Sequence, residues 1–293
     1  MPLINTRDTI YLEQSEVLSR HEYPGDQYVM RLNAPQTAQQ AGPGNFVHIQ
    51  CDSTIPLRRP MSIMRADSKN NWIEVLFKVH GKGTELLSKK CPGDNLSLLG
   101  PIGVPFKMSD YRRLPLLIGG GVGIPPMIFL AEHIKNQQDE YKPFVIAGSE
   151  IPFPFTPTPS KIMVSGISEG TIASMPLLED WGIPSRLTSR QGYAGCYDGF
   201  VTDLTRVWLD SLSPDTLKDV EIFSCGPTPM LQAVADVAHE YQLPCQVSLE
   251  EYMACAVGGC AGCTVLVTTD AGEAMKRVCV DGPVFEAATV FPR

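Results

Sequence analysis

The N-terminal third of the chain consists of short apolar runs that turn-forming clusters interrupt. Between positions 10 and 52 the runs are strand-like, and they are separated by clusters such as Tyr23-Pro-Gly-Asp and Ala41-Gly-Pro-Gly-Asn. Alternation of apolar and polar residues continues through Trp72-Ile-Glu-Val-Leu-Phe-Lys-Val. A period of two between Gly and Pro turns is typical of antiparallel strands. We therefore predict a small antiparallel β-barrel that ends near Met108.

The pattern changes after the barrel. Residues 113–130 predict a buried strand, a glycine turn at 119–123 and a helix that starts near Pro125. This stretch is uncharged from Leu114 to Ala131, but its glycines and prolines favour strand, turn and helix over a membrane span. A glycine turn before a helix N-terminus suits a nucleotide pyrophosphate. The strict G-x-G-x-x-G fingerprint is absent, so an ordinary strand–helix turn is the alternative.

The middle of the chain alternates between strand and helix patterns. We predict further strands at residues 143–148, 161–165 and 186–189, with helical stretches between them. Such alternation indicates an α/β domain with a doubly wound parallel sheet. The four prolines within residues 151–160 forbid a helix and predict an extended surface loop.

The last predicted strand, at residues 220–225, runs into the turn Cys225-Gly-Pro-Thr-Pro-Met230 and a helix at 231–241. Cys225 is thereby placed at the carboxyl end of a strand, where doubly wound sheets bind ligands. A lone cysteine at such a position is also commonly a small buried residue. Both interpretations stay open.

Four cysteines near the C-terminus have the spacing C-x4-C-x2-C-x15-C. They are Cys255, Cys260, Cys263 and Cys279. The first spacings are those of a plant-type 2Fe-2S loop, and the intervening glycines would let amide N–H groups approach an anionic cluster. A zinc ribbon would need a second C-x-x-C or a C/H pair, and the last histidine is His239. We predict a 2Fe-2S cluster, with zinc and unliganded thiols as the alternatives.

Composition and charge limit the partners. A length of 293 residues suits two cores and a small appendage. The net charge of −8, from 24 basic and 32 acidic residues, comes without a basic run, so we expect no nucleic-acid partner. Residues 1–12 show no signal peptide, and nine cysteines suit a reducing compartment. We expect a cytoplasmic protein that does not bind membranes.

Three short motifs lie within the predicted barrel. They are Leu57-Arg-Arg-Pro-Met-Ser62, Val79-His-Gly-Lys-Gly-Thr84 and Leu99-Gly-Pro-Ile-Gly103. Arg59 offers a rigid fork of donors for a diphosphate, and Gly83-Thr84 can open a helix whose N–H groups point at phosphate. Each motif alone is as typical of a strand end or a capped turn. Their order and the cysteines downstream favour a cofactor site.

With these motifs the chain resembles the electron-transfer subunits of NAD-dependent dihydroorotate dehydrogenases, a branch of the ferredoxin-NADP reductase superfamily. The resemblance rests on the motifs at 59–62, 83–84, 119–123 and 225–230 and on the cysteines with the trailing Val280-Asp-Gly-Pro-Val-Phe285. It implies three domains: an FAD-binding barrel at 1–108, a nicotinamide-binding α/β domain at 109–244 and a 2Fe-2S domain at 245–293. The last would face a flavin-bearing catalytic partner.

The resemblance also implies which residues bind each cofactor. Around FAD it places Arg59 at the diphosphate, Ser62 at the flavin edge, Gly83 and Thr84 at the phosphates, and Pro60, Met61, Leu76, Phe77 and Lys78 alongside. For NAD it implies Gly119, Gly120, Gly121, Val122, Gly123, Gly226, Pro227 and Met230, with Cys225 near the nicotinamide as the catalytic residue. Many ferredoxin reductases have an aromatic residue where this chain has Met61, so another group would have to stack on the flavin.

Three functions fit the predicted parts. The first is an oxidoreductase that passes electrons between NAD(H) and a partner's flavin, as a subunit of a hetero-oligomeric dihydroorotate dehydrogenase in pyrimidine biosynthesis. The second is a reductase subunit of an oxygenase, hydrogenase or sulfide-metabolising complex, although fused ferredoxins of oxygenase reductases usually have a last spacing longer than x15. The third is a zinc-stabilised interaction module without redox work.

The choice of nicotinamide cofactor follows from the first strand after the glycine turn. An adenosine 2′-phosphate generally needs an arginine after such a strand, whereas this strand ends Gly148-Ser149-Glu150. A carboxylate repels a phosphate and suits a ribose hydroxyl. We predict a preference for NADH, which Arg186 or Arg190 would oppose if either reached the site.

We predict that anaerobically purified protein is brown and holds about two irons and two sulfides per chain, as the cluster type requires. Cys279→Ser should abolish the cluster and leave flavin bound, because the two sites lie in different predicted domains. Iron, sulfide and flavin analysis with a visible spectrum checks both statements. Stoichiometric zinc without sulfide would contradict the assignment.

Overall fold

The computed structural model describes residues 9–137 and 141–292. The N-terminal part forms a closed six-stranded antiparallel barrel. Its strands are β1 (Tyr11–Tyr23), β2 (Gln27–Asn33), β3 (Phe46–Gln50), β4 (Arg59–Asp67), β5 (Trp72–Lys78) and β6 (Asn95–Ile102). They pair in the order β1-β2-β5-β4-β3-β6, and β6 returns to β1. The predicted barrel is confirmed.

Inward side chains explain why the barrel forms. Met30, Ile63, Val75 and Leu98 are fully buried in its interior, on four different strands. Each is flanked along its strand by residues that point outward, since successive side chains of a strand alternate between faces. Along the chain, helix α1 (Pro35–Gln40) connects β2 to β3, and helix α2 (Lys82–Ser88) connects β5 to β6.

The second part is a six-stranded sheet with helices on both faces. Its strands are β7 (Leu114–Gly120), β8 (Phe144–Gly148), β11 (Ser185–Thr188), β12 (Val220–Cys225), β13 (Cys245–Ser248) and β16 (Val284–Glu286). The helices of the α/β part and the C-terminal region are α3 (Ile124–Asn136), α4 (Pro176–Asp180), α5 (Val201–Asp210), α6 (Pro214–Leu217), α7 (Thr228–Glu240) and α8 (Ala287–Val290). The predicted doubly wound parallel sheet is confirmed, with β16 as an added antiparallel edge.

The order of the strands locates the ligand edge of this sheet. The order is β11-β8-β7-β12-β13-β16, so the chain moves outward from β7 in one direction and then returns to continue from β12 in the other. The connections after β7 and β12 therefore leave the sheet toward opposite faces. Ligands of doubly wound sheets bind at the crevice that forms at this switch point.

Residues after position 244 both complete the sheet and form the cysteine-rich part. Strands β13 and β16 pair with each other and extend the sheet, while β14 (Thr264–Thr269) and β15 (Gly272–Arg277) form a separate hairpin between them. The Val104 N–H donates to the Gly282 carbonyl at 2.6 Å, so the C-terminal segment also contacts the barrel. The predicted division at position 244 stays a prediction, since two strands of the sheet follow it.

The predicted strand at residues 161–165 is wrong. This segment is irregular because its backbone groups find side-chain partners instead of a neighbouring strand. Glu179 accepts the Lys161 N–H at 2.6 Å, and the buried Arg186 donates to the Ile162 carbonyl at 2.8 Å. The strands that do occur nearby are the two-residue β9 (Thr158–Pro159) and β10 (Ala173–Ser174). Between β8 and β11 the helical prediction reduces to the short α4.

The uncharged stretch divides as predicted into β7, a 3-10 turn (Gly121–Gly123) and α3. Across the part of the chain that the structure describes, none of the helices combines the length and the apolar character that a membrane crossing requires. The proline-rich loop is not purely a surface feature. Phe153 is buried within it, and the Gln27 side chain of the barrel donates to the Pro152 carbonyl at 2.7 Å.

Candidate functional site

The first group of predicted residues meets where β4 begins and α2 begins. The Arg59 guanidinium lies directly over Gly83, since a Cβ placed on Gly83 would come within 2.9 Å of Arg59 Nε and 3.1 Å of Nη2. Arg59 Nη1 donates to the Leu57 carbonyl at 2.9 Å. A side chain at position 83 would displace the guanidinium from this position. The two predicted phosphate-binding elements are thus in contact.

Thr84 shapes the turn before α2. Its hydroxyl accepts the His80 N–H at 2.7 Å and donates to the Gly81 carbonyl at 3.2 Å. Gly81 has a φ of 83°, a conformation that favours glycine. Because the hydroxyl is engaged in this way, the groups of this turn that remain for a phosphate are the first N–H groups of α2.

The remaining residues predicted to bind the flavin lie on two sides of the barrel wall, some facing the interior and some facing outward. Met61 is buried in the barrel interior, and Phe77 stacks there on Tyr28 with ring centroids 5.5 Å apart. Their side chains cannot reach a cofactor outside the barrel, so only their backbone could line one. Alternation along the strands places Pro60, Ser62, Leu76 and Lys78 on the outer face.

His48 is a buried polar residue beside these candidates that the sequence analysis missed. It pairs with Pro60 in the ladder between β3 and β4. Neither ring nitrogen makes a hydrogen bond of normal geometry to the described residues, although the backbone of Met253 and Arg58 lies near. Burial, followed by the charge of Arg58, lowers its pKa to about 4, so the ring is neutral. His48 is therefore a neutral, buried side chain next to the start of β4.

The second group meets at the switch point of the sheet. Cys225 lies in register with Gly119, so the glycine turn and the turn after β12 are side by side. A Cβ on Gly123 would overlap the Cys225 carbonyl, and a Cβ on Gly120 would overlap the Met230 sulfur. The two turns therefore pack without room for side chains, and Met230 fills the space between them. Bare N–H groups at this edge suit a pyrophosphate.

The Cys225 thiol is neutral and only 1% exposed. Burial, then the nearby charge of Glu250, raises its pKa well above the ordinary value. This raised pKa favours the neutral thiol over the thiolate, the form that acts as a nucleophile. Its predicted place beside the nicotinamide needs only a small, neutral contact and stays a prediction.

Ser248 and Glu250 lie beside Cys225, and the sequence analysis missed both. Ser248 is in register with Cys225, and Glu250 follows the same strand. Glu250 is open to solvent on one side but has protein around most of its carboxyl group, and this partial burial raises its pKa. The apolar alternation of Cys245-Gln-Val-Ser248 was the signal for a further strand.

The four cysteines of the predicted cluster form two neighbouring pairs. The Cys260 N–H donates to Cys255 Sγ at 3.4 Å, and the thiols of Cys263 and Cys279 interact. Cys263 and Cys279 are buried, Cys255 is half-buried and Cys260 is exposed. Within residues 9–137 and 141–292 no group of three or more His, Cys, Asp or Glu side chains stands at metal-binding geometry. The fit to a cluster rests on the four thiols and on the N–H groups around them.

The backbone of the cysteine loop favours anionic sulfur. Burial acts to raise the pKa of Cys255, but N–H groups of Val257 and Cys260 outweigh it and lower this pKa to about 7. Ala256, Gly258 and Ala261 have φ of 57°, 77° and 54°. In the same loop the Gly262 N–H donates to Cys260 Sγ at 3.4 Å. Thiolate ligands and converging N–H donors are what an iron–sulfur cluster requires.

The predicted adenosine end lies at the carboxyl ends of β8 and β11. Gln191 donates to Glu150 at 3.0 Å. Arg186 is buried and donates to the carbonyls of Ser185 and Ile162 at 2.7 and 2.8 Å, so its guanidinium is committed within the protein. Arg190 lies over the Phe200 ring with its Cζ 5.2 Å from the centroid.

Comparison with known proteins gives a consistent result. The iron-sulfur cluster binding domain of dihydroorotate dehydrogenase B matches residues 250–291. The dihydroorotate dehydrogenase B (NAD(+)) electron transfer subunit of Caldanaerobacter subterraneus subsp. tengcongensis is 32% identical over 95% of this chain and 98% of its own length. That of Geobacillus thermodenitrificans is also 32% identical, with the same coverage.

Solved structures show the same fold. A chain of the NADH-dependent reduced ferredoxin-NADP oxidoreductase, studied for flavin-based electron bifurcation, superposes with a TM-score of 0.76 at 25% identity, covering 95% of this chain and 90% of its own. The ferredoxin reductase of carbazole 1,9a-dioxygenase has a TM-score of 0.61 at 19% identity, covering 80% and 67%. The latter likeness concerns the fold alone.

We predict that Arg59→Ala weakens FAD binding at least about tenfold, because hydrogen bonds to charged groups contribute roughly 1.5–3 kcal/mol each. Titration of flavin-free protein with FAD measures the affinity. Arg58→Ala is the matched control, since Arg58 donates to the Ser97 carbonyl and hydroxyl at 2.6 and 2.8 Å and should affect barrel stability instead. Wild-type affinity in Arg59→Ala would show that the motif assignment is wrong.

Proposed function

Because this chain belongs to the family of dihydroorotate dehydrogenase B electron transfer subunits, we propose that it carries electrons between NAD(H) and a flavin-bearing catalytic partner, through FAD and a 2Fe-2S cluster. The observation that supports this best is the 32% identity to a relative of that name along 95% of the chain. We propose a cytoplasmic hetero-oligomer that serves pyrimidine biosynthesis.

The three proposed cofactors suit this work. A nicotinamide exchanges two electrons as hydride, a flavin holds one or two, and a 2Fe-2S cluster carries one. The chain's own contribution is to bind and orient. We propose that Arg59 and the start of α2 hold the FAD diphosphate, with Ser62 at the flavin edge. The residues that hold the cluster are Cys255, Cys260, Cys263 and Cys279.

The nucleotide edge has a defined task in this scheme. We propose that the turn at 119–123 binds the NAD pyrophosphate through N–H groups, with the turn at 225–227 beside it. The neutral Cys225 and the neighbouring Ser248 would contact the nicotinamide from the end of the sheet. Small neutral groups there leave the ring free to lie against the flavin and exclude water from the transfer.

The outer side of the cysteine loop is suited to a partner. Ala254, Gly259, Ala261 and Gly262 are exposed there and are all small. Between Cys255 and Cys263 the larger exposed apolar side chain is Val257, so at the other exposed positions little bulk separates the cysteine sulfurs from an approaching protein. We propose that this surface, the cluster face, docks the catalytic partner.

A second candidate function is a reductase subunit of another redox complex. It is favoured by the likeness to NADH-dependent reduced ferredoxin-NADP oxidoreductase over 95% of this chain. Identification of the proteins that co-purify with the native chain distinguishes the two functions. Recovery of an oxygenase or hydrogenase subunit alone would favour the second.

We predict that the protein prefers NADH over NADPH, with kcat/KM at least about tenfold higher, because like charges at a binding site repel by several kcal/mol. The Glu150 carboxylate is the charge that would repel the 2′-phosphate of NADPH. Arg186 already donates to the Ser185 and Ile162 carbonyls, so it does not serve as a phosphate ligand. Steady-state ferricyanide reduction with each cofactor measures the ratio. Glu150→Gln should narrow it, whereas the exposed Glu169→Gln should not. A higher kcat/KM for NADPH would overturn the prediction.

We predict that the chain alone reduces artificial acceptors with NADH but does not turn over dihydroorotate. Adding the catalytic subunit should establish dihydroorotate-dependent reduction of NAD. Ala261→Trp should weaken the coupled reaction about fivefold to a hundredfold, since overpacking costs typically 1–3 kcal/mol.

The control for this experiment is Ala288→Trp, at an exposed position on α8. It should leave both reactions unchanged, and the visible spectrum of each variant shows whether the cluster is intact. Oxidation of dihydroorotate by the purified chain alone would contradict the proposed division of labour.

A further inference from the structure

A half-buried ion pair connects the barrel to the nucleotide domain. Arg65 lies on β4, the strand that begins with Arg59 and carries Ser62. Glu132 lies on α3, the helix that begins directly after the glycine turn. The contact between β4 and α3, called the seam below, thus joins the proposed flavin strand to the proposed nucleotide helix. The pair lies within the seam.

The geometry of the pair is bidentate. Arg65 Nε lies 3.0 and 3.1 Å from the two carboxylate oxygens of Glu132, and Nη2 lies 2.5 Å from Oε1. A guanidinium fork on a carboxylate fixes relative orientation as well as distance. A lysine, which presents a single point charge, would not reproduce this constraint.

Two tryptophan rings, one from each domain, flank the Arg65 guanidinium. Its Cζ lies 5.4 Å from the Trp72 centroid on β5 and 5.3 Å from the Trp181 centroid after α4. The side chains of Arg65 and Glu132 are only 22% and 16% exposed. Salt screens such a pair much less than it screens a surface pair.

The charges around the pair are balanced. Glu74 on β5 lies 3.8 Å from Arg65 Nη1 and receives its main hydrogen bonds from Arg31 at 2.8 and 3.0 Å. Burial acts to lower the pKa of Arg65, but the Glu132 hydrogen bond and charge outweigh it and raise this pKa. The arginine is therefore a permanent cation with a dedicated partner on the other domain.

The apolar packing beside the pair does not supply the same orientation. Met64 and Leu76 of the barrel are buried against Ile124, Met127 and Ile128 of α3. Such contacts stabilise the association, but the hydrophobic effect is non-directional. Thioether side chains also adapt easily to shifted packing. The bidentate pair is the directional contact of this seam that the structure shows.

We propose that Arg65 and Glu132 are positioning residues that set how the nucleotide helix lies against the flavin strand, and so align nicotinamide with flavin. The inference rests on the proposed function, because it assigns the pair a role in that hydride transfer. Hydride passes only between closely aligned rings, and a misplacement of about 1 Å that arises far from the chemistry can cost about a hundredfold in rate.

The test uses the protein purified with its FAD and cluster. Arg65→Lys keeps the charge and loses the fork, and Glu132→Gln keeps the shape and loses the charge. Rapid mixing with increasing NADH measures the limiting rate of flavin reduction and the NADH dissociation constant. We expect each variant to lower the limiting rate about tenfold or more with little change in the dissociation constant. The double variant should be no slower than either single one, because the pair acts as a unit.

The matched control is Arg206→Lys, which alters a surface pair, Arg206 with Glu240 at 3.0 Å, inside the nucleotide domain. It should leave the limiting rate unchanged. An equal loss in this control would overturn the proposal. So would variants at the seam that melt at a lower temperature but reduce flavin at the wild-type rate, because the pair would then only stabilise the fold.

Hydrogen–deuterium exchange gives a readout that does not depend on turnover. In the FAD-loaded protein, Arg65→Lys should speed exchange in peptides covering β4 and α3 and leave β12 and β13 protected. Unchanged exchange at β4 and α3 would overturn the proposal. A wild-type flavin that NADH does not reduce would overturn the proposed function instead, and the exchange result would still report on the seam.

Discussion

The contact between β4 and α3 is the constraint on which the arrangement of this molecule depends. Electrons that arrive as hydride need donor and acceptor rings in contact, so the strand proposed to hold the flavin must lie against the helix proposed to hold the nicotinamide nucleotide. Met64 from the strand and Met127 from the helix are buried together there. The Arg65–Glu132 pair adds the directional component that apolar packing lacks. Hydride transfer between two domains requires that the contact between them keeps a fixed geometry.

The barrel also supports the cysteine-rich region, through a different face. Phe46 and Ile102, on β3 and β6, share a buried cluster with Val278 and Cys279. A Cβ at position 103 would overlap Pro283. Glycine at this position therefore lets the C-terminal segment pack close to the barrel. The barrel is therefore the hub, with the nucleotide domain against β4 and the cysteine loop against β3 and β6. This placement suits a flavin that exchanges electrons with a nicotinamide on one side and with an iron–sulfur cluster on the other.

The cysteine loop is asymmetric between its inner and outer sides. Cys263 and Cys279 are buried in the cluster that also contains Phe46 and Ile102 of the barrel, whereas Cys260 is exposed. Small residues in left-handed conformations, Ala256 and Ala261, turn the N–H groups toward the sulfurs without adding bulk. If these cysteines hold the proposed cluster, a buried pair of ligands and an exposed one match a carrier that links an internal donor to an external protein.

Some of this was determined by the sequence alone, because the signals are local. Alternation predicted the barrel, and strand–glycine–helix order predicted the parallel sheet; spacing along one loop also gave the prediction that Cys255, Cys260 and Cys263 hold a cluster. Each depends on residues that are close in the chain, whose backbone conformation follows from their own chemistry. The same local logic failed at 161–165, where the apolar run Ile162-Met-Val has the composition of a strand. Side chains distant in sequence, Glu179 and Arg186, satisfy that backbone instead.

Only the tertiary structure decided which distant residues meet. Nothing local to Gly83 shows that Arg59 crosses it, nor that the Cys225 carbonyl occupies the space beside Gly123. Met61 and Phe77 belong to segments that the family resemblance assigns to the flavin site. The twist and closure of the barrel nevertheless turn their side chains inward. Arg65 and Glu132 are separated by 67 positions, and neither lies in a recognisable motif. Contacts of this kind depend on how whole helices and strands pack against one another. That packing is determined by all of the buried surfaces together, so it cannot be predicted from any short segment.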